Sequence, residues 1–362
     1  MTYKIAVLGP IPRDFITTYQ KETITRYGAI THTVIVLANL LQNKGKIIPV
    51  THIMKKDVVA VEEIFRPYSN VDLSHITSKN DRGDVIQLNF IDQNNRLEKQ
   101  LGFMDPILPE DIKELLDCDM FVILAVTDFE VPMATLQYIK ENSKGIIVFD
   151  AHGPTCGVTT KAERIFQPWV DIDTWLPYID VLKMNMEEFR SCWYKNEYEL
   201  EEITSKHEDG LPDAETAKHC LSLGVKSLFV TSDNNGCYAF YFDKDGIMQQ
   251  ELVPAMPVSH VVDTTGCGDS FAGGLAYGYL KTDDPIKACY YANICGALRT
   301  QGKEFDVFER LADVEAIIRE TYLKEKGNKW LHFCRRWLGK WFFKNRRSNT
   351  GTLLLKNLEK SK

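Results

Sequence analysis

The sequence predicts an α/β fold: a mostly parallel central sheet with helices on both faces, and a small second sheet projecting from it. Residues 1–320 alternate short Val/Ile/Leu-rich runs with segments of helical periodicity, the pattern of strands joined by crossover helices. Most of the short runs lack polar alternation, as strands covered on both faces should. Two stretches break the rhythm. Residues 14–27 and 83–103 mix polar and apolar residues around polar turn candidates at 20–22 and 92–95, and they predict exposed antiparallel hairpins.

In chain order, 5–8 is the first strand, 14–27 the first hairpin and 31–42 a helix with an apolar face. A strand at 47–52, a helix at 57–66 and the second hairpin follow. Strands at 121–125 and 146–150 flank a helix at 132–142, and a strand at 181–184 runs into a helix at 186–194. A helix at 213–223 precedes a strand at 228–231, and helices at 268–281 and 284–299 close the body. No internal repeat or Gly/Ser-rich linker marks a second full domain. Residues 1–325 are therefore expected to form one domain and 326–362 a tail.

The 362 residues are 44% hydrophobic and 26% charged, which excludes a disordered or fibrous chain. No run reaches the ~18 apolar residues of a membrane-spanning helix. The N-terminal MTYKIAVLGP enters a strand without a basic leader, so a cytoplasmic protein is expected. Nine cysteines, with no C-x-x-C pair, offer neither a disulfide framework nor a zinc site. His207-Glu208 lacks the second histidine of H-E-x-x-H.

The net charge of -7 conceals an asymmetry. Residues 321–362 hold 12 Lys+Arg against 2 Asp+Glu, a net +10, which leaves -17 on residues 1–320. An acidic body of this kind repels nucleic acid. In the tail, Trp330, Phe333, Trp337, Leu338, Trp341 and Phe342 recur at helical spacing among Lys and Arg, a basic amphipathic pattern. An anionic membrane surface is its first expected partner, then docking on a protein or on this acidic body, with RNA third.

The chemistry is expected at 261–274, VVDTTGCGDSFAGG. A β-branched strand end runs into Asp263-Thr264-Thr265, then Gly266-Cys267-Gly268, and Asp269 opens a helix. Glycines let successive N–H groups converge, and the helix N-terminus adds about half a positive charge, so the loop is an anion cradle. An acidic residue at its lip would repel phosphate but is placed to take a proton from a hydroxyl that attacks it. Taken alone, G-x-G-D favours a tight loop with Asp269 as an ordinary first-turn helix residue; the whole fourteen-residue string is far more specific. Gly273 and Gly274 inside the helix cost ~1 kcal/mol each unless something packs closely there.

Asp263-Thr-Thr-Gly-Cys-Gly-Asp269 resembles the second signature, D-T-x-G-A-G-D, of the PfkB (ribokinase-like) family of sugar and nucleoside kinases. The resemblance implies a ribokinase-like fold in which the two hairpins form a lid. It implies Asp269 as catalytic base and Gly266, Cys267 and Gly268 as the anion hole. Weaker motifs follow in order. Gly9-Pro-Ile-Pro-Arg-Asp14 is similar to the first-strand motif whose Asp binds sugar hydroxyls. Asn185-Met-Glu-Glu188 resembles N-x-x-E, which organises Mg²⁺ and phosphates. Val230-Thr231-Ser-Asp-Asn-Asn-Gly236 resembles the nucleotide loop, and Asn293 joins Thr231 and Gly236 on the nucleotide side. The resemblance also implies a monovalent cation, K⁺, near Asp263 and Thr265.

The departures concern the substrate. Tyr27-Gly28-Ala-Ile-Thr-His32 stands where the family has G-G-x-x-x-N, and Asp233 replaces the first Gly of the nucleotide loop. Gly28 and His32 are placed on the substrate side with Asp14. His32 alone fits either a buried core histidine or a ligand, and Glu188 either a helix-start residue or a Mg²⁺ organiser through water. Asn95 and Arg96 sit at a hairpin tip, where an arginine could meet substrate. No G-K-[ST] exists for a Walker loop, and no G-x-G-x-x-G opens a first βαβ unit, which argues against a dehydrogenase. The expected activity is ATP- and Mg²⁺-dependent phosphorylation of a hydroxyl on a small sugar or nucleoside, with a homodimer formed through the lid. The alternative is a non-catalytic ribokinase-like binding or regulatory protein.

Overall fold

The apolar runs build a nine-stranded sheet in the order β15-β14-β13-β12-β9-β8-β1-β4-β5. Its parallel strands are β1 (Tyr3–Leu8), β4 (Gly45–His52), β5 (Ile76–Thr77), β8 (Met120–Leu124), β9 (Ile146–Asp150), β12 (Val181–Asn185) and β13 (Ser227–Thr231). β14 (Cys237–Phe242) and β15 (Met248–Val253) add an antiparallel edge. The computed structural model describes residues 2–92, 96–192 and 212–323, in two units, Met1–Glu315 and Ala316–Lys362. In the second unit the described residues are helical at 316–323. The amphipathic tail expected over 326–362 and Asn95 lie outside the described residues.

β8 is buried along its whole length, as its unbroken apolar run, MFVIL, predicts. Helices α1 (Ile30–Leu41), α2 (Val58–Phe65), α3 (Met133–Asn142), α4 (Met186–Arg190), α5 (Ala214–Ser222), α6 (Cys267–Thr282) and α7 (Pro285–Arg299) fall where periodicity placed them. No described helix is long and apolar enough to cross a membrane. The expected close packing at Gly273 and Gly274 is present. A Cβ on Gly273 would meet Val36 of α1 at 3.0 Å, and one on Gly274 would meet the Tyr291 carbonyl of α7 at 2.6 Å. The two glycines let α6 pass between both neighbours, which offsets their helix-propensity cost.

The two irregular stretches pair into one four-stranded sheet, β3-β2-β6-β7, from β2 (Arg13–Thr17), β3 (Thr23–Tyr27), β6 (Val85–Phe90) and β7 (Arg96–Gly102). Strand alternation assigns its faces. Arg26, Asp14, Ile86 and Gln100 share one cross-strand row, and Ile16, Leu88 and Glu98 the next row on the same face. Phe15, Gln87 and Lys99 lie on the opposite face. A short pair, β10 (Cys156–Val158) with β11 (Arg164–Phe166), touches β7 through a Lys99–Glu163 bridge. The edge strands β14 and β15 and this short pair were not anticipated.

Candidate active site

The parallel strands β9, β12 and β13 end at one edge with Asp150, Asn185 and Thr231, the edge at which open α/β sheets bind ligands. Register then makes a buried ion pair. β12 lies parallel to β9 with Lys183 opposite Asp150, and Lys183 Nζ donates to Asp150 Oδ2 at 2.9 Å. Both residues are 4% exposed. Burial opposes the lysine's charge, but Asp150 and Glu188 outweigh it and hold Lys183 protonated.

Asn185 and Glu188 cap α4 reciprocally. Asn185 Oδ1 accepts from the Glu188 N–H at 2.8 Å, and Glu188 Oε2 accepts from the Asn185 N–H at 2.7 Å, a capping box. Glu188 is therefore a buried cap, not a solvated helix-start residue. Oε1 also accepts from Asn185 Nδ2 and lies 3.0 Å from His152 Nδ1. Three bonds on two oxygens leave an acceptor position for a metal-bound water. On its other side, His152 Nε2 lies 2.8 Å from Arg164 Nη2. A guanidinium can only donate, so a hydrogen bond at this contact needs Nε2 as acceptor and the proton on Nδ1, facing Glu188; against burial, the Cys156 and Glu188 contacts raise the imidazole to about 10.

The loop into α6 turns at Gly266, whose φ of 85° and ψ of 7° are left-handed. Its amide and those of Gly268 and Asp269 have no hydrogen-bond partner among the described residues. The Cys267 N–H is different: it donates to the Thr264 carbonyl at 3.2 Å, closing the turn. The open amides are thus those of Gly266, Gly268 and Asp269, with the Cys267 N–H committed to the turn. Burial pushes the Cys267 thiol up to about 12, so it is not a nucleophile. A Cβ on Gly268 would lie 3.4 Å from Lys183 Nζ, which sets that ammonium beside the cradle.

Asp269 is half-buried at this helix N-terminus, and no described residue hydrogen-bonds its carboxylate. Burial, with the nearby Asp150 charge, raises it to about 6 against the pull of Lys183. The Asp269 carbonyl is fixed by Thr33 Oγ1 at 2.8 Å. Asp14, on the cleft-facing side of β2, is 6% exposed, and burial together with the Asp269 charge lifts it to about 8. Gly28 stands against it, for a Cβ there would lie 2.5 Å from Asp14 Oδ2. Glu98 bridges two arginines beside them: Oε1 accepts from Arg96 Nε at 2.7 Å and Oε2 lies 3.1 Å from Arg164 Nε. Arg96 also lies over the Phe90 ring at 5.5 Å, still partly exposed.

Some expected site residues are placed elsewhere. His32 is buried beneath the cradle, 4% exposed, its ring 5.1 Å from that of Phe305 and filling the space a Cβ of Gly266 would need. Burial holds the imidazole neutral, its titration lowered to about 3. It packs against the turn at Gly266. Asn293 Nδ2 donates to the Val253 and Pro254 carbonyls at 3.2 and 3.1 Å, tying down the end of β15. Thr231 Oγ1 lies 3.4 Å from the Met184 carbonyl. Gly236 has φ 111°, and Asp233 accepts the left-handed φ of 44° itself, a conformation Asp tolerates better than most side chains. Asp263 and Thr265 form one turn, with the Thr265 N–H donating to Asp263 Oδ1 at 2.9 Å.

Lys183, Asp150, His152, Arg164 and Glu98 were not singled out from sequence. One signal existed: Lys183 is the lone charge in an otherwise apolar central strand, VLKMN.

Residues 165–306, which include the whole of the 263–269 loop, match the family model described as pfkB family carbohydrate kinase. The match covers 142 of the 362 residues. An uncharacterized sugar kinase of Archaeoglobus fulgidus is 33% identical to this chain over 125 residues, which is 33% of this chain and 44% of that protein. The match thus spans less than half of that relative's length. An Arabidopsis thaliana ribokinase complexed with ribose and ATP superposes with a TM-score of 0.65 at 16% identity, covering 88% of this chain and 99% of its own. A Vibrio cholerae fructokinase double mutant in a fructose, ADP and potassium ion bound form gives 0.65 at 17% identity, covering 88% and 99%. The fold is ribokinase-like.

Proposed function

We propose that this chain transfers the terminal phosphoryl group of ATP to a hydroxyl of a small sugar or nucleoside. The observation that carries the reading is Asp269: a carboxylate without a hydrogen-bond partner among the described residues, raised to about 6, at the lip of three open backbone amides. A base that titrates near the working pH is ionised there yet still basic enough to accept a hydroxyl proton. The amides of Gly266, Gly268 and Asp269 would hold charge developing on the phosphoryl oxygens, with Lys183 beside them. Mg²⁺ would neutralise the donor phosphates, and Glu188 would hold it through water. Asp14, Gly28, Arg96, Glu98 and Arg164 would bind acceptor hydroxyls.

Positioning and charge do most of the work in such transfers, so an acidic body needs its positive potential only locally. The outer face of the small sheet exposes Phe15, Leu97 and Leu101, which supports pairing of two copies through it. Coupled product release with pentoses, hexoses, hexose phosphates and nucleosides, and with pyrophosphate as an alternative donor, tests the activity. Turnover with at least one acceptor, abolished by Asp269→Asn, is expected. No turnover with any pair, or turnover indifferent to that substitution, defeats the proposal.

A further inference from the structure

Asp263 opens the cradle loop, and with Thr265 it is where the family resemblance implies a monovalent cation. Such an ion needs carboxylate and carbonyl oxygens with free lone pairs and no competing positive charge. Here the Asp263 carboxylate and the Thr300 and Gly302 carbonyls are already served. Asp263 Oδ2 takes Arg26 Nη1 at 2.5 Å and Arg299 Nη2 at 3.4 Å, while Oδ1 accepts from Thr265. Arg299 Nη1 donates to the Gly302 carbonyl at 2.5 Å. The neighbouring Thr300 carbonyl accepts the Val262 and Asp263 N–H groups at 2.7 and 3.4 Å. The Arg299 guanidinium thus bridges a carboxylate and a backbone carbonyl, the task an ion would perform, and its side chain is 2% exposed. Arg26, from β3, closes over the same carboxylate from the other side.

We infer that the buried Arg299 guanidinium, backed by Arg26, stands in place of a monovalent cation behind the anion cradle, so that phosphoryl transfer by this chain does not require K⁺. The donor set does not fit a further cation, because an incoming ion would meet two guanidinium groups that cannot lose their charge. A covalently attached charge also remains when salt is removed. It is felt at the catalytic end of the loop, where Arg299 is among the charges that favour ionised Asp269. Arg299 is the last residue of α7, and it joins that helix end to the 300–302 turn and to Asp263. The inference rests on the kinase reading only where it concerns turnover; what occupies the position can be measured without it.

Wild-type protein and Arg299→Ala are melted in tetramethylammonium chloride, in KCl and in dilute guanidinium chloride at equal ionic strength, and turnover is measured in the first two salts. Wild type is expected to melt at the same temperature in tetramethylammonium and K⁺ and to turn over equally fast. Arg299→Ala is expected to melt lower and to recover part of the loss when K⁺ or guanidinium occupies the vacated position. A K⁺-specific rise of more than about 2 °C in wild type, or K⁺ activation of more than about threefold, overturns the inference. A variant that matches wild type in every salt also overturns it. Should Arg299→Ala fail to fold, the wild-type series and Arg299→Lys decide the question. If no acceptor is phosphorylated while wild-type melting ignores K⁺ and the variant responds, the kinase reading falls and the replacement of the cation stands.

Discussion

Replacing Asp269 with Asn is expected to abolish turnover while making the protein more stable. The carboxyl titrates at about 6 in the fold against 3.8 as its ordinary value. A folded state that binds the proton more tightly than the unfolded chain is penalised wherever the group is ionised, fully above pH 6 and progressively less as pH falls toward 3.8. A shift of about 2 pH units corresponds to about 3 kcal/mol at most. Because the carboxylate is only half-buried, solvent screening reduces this to about 1–2 kcal/mol. The neutral Asn side chain removes the penalty. Loss of the base lowers turnover by roughly 10²–10⁴-fold. Urea unfolding of both proteins at pH 8, 6 and 4.5, with product release on the best acceptor, measures both effects. The stability gap should be widest at pH 8 and shrink at 4.5, and the wild-type rate should fall below about pH 6. A variant less stable than wild type at pH 8, a gap that ignores pH, or retained turnover refutes the reasoning.

Lys183→Met strands the buried Asp150 carboxylate and is expected to cost about 3–5 kcal/mol in urea unfolding, with Asp150→Asn in the same chain restoring more than half; a double variant no better than the single one contradicts the pairing. Gly266→Ala must place a Cβ 2.4 Å from the His32 ring at a left-handed φ of 85°. It should lose about 1–3 kcal/mol together with activity, and adding His32→Ala should return part of the stability. Ala29 holds a left-handed φ of 46° at the start of α1, so Ala29→Gly should raise stability by about 0.5–1 kcal/mol in thermal melts. Gly28→Ala, whose Cβ would lie 2.5 Å from the Asp14 carboxylate, should raise the KM for the acceptor far more than it lowers kcat.

The sequence by itself determined the α/β class, the order of the parallel strands and helices along the chain, and the loop that carries Asp269. Each follows from information local in the chain: an unbroken apolar run, a 3.6-residue period, or glycines beside an aspartate at a helix start. Of the edge strands, β15 (MQQELV) lacks an apolar run, whereas β14 (CYAFYF) carries one and was legible in principle. The closeness of Asp14 and Gly28 follows from local pairing, because β2, β3 and the turn after them bring the two together. Only the tertiary structure decided which charges meet. Lys183 and Asp150 are 33 residues apart and face each other through the β9–β12 register. Asp263 meets Arg26 across 237 residues and Arg299 across 36. The resemblance implies roles for His32 and Asp263 by motif position alone, and a motif specifies residue types, not the direction in which a buried ring points or what already neutralises a carboxylate. Those are properties of packing and of desolvated charge, which exist only once distant segments share a low-dielectric interior.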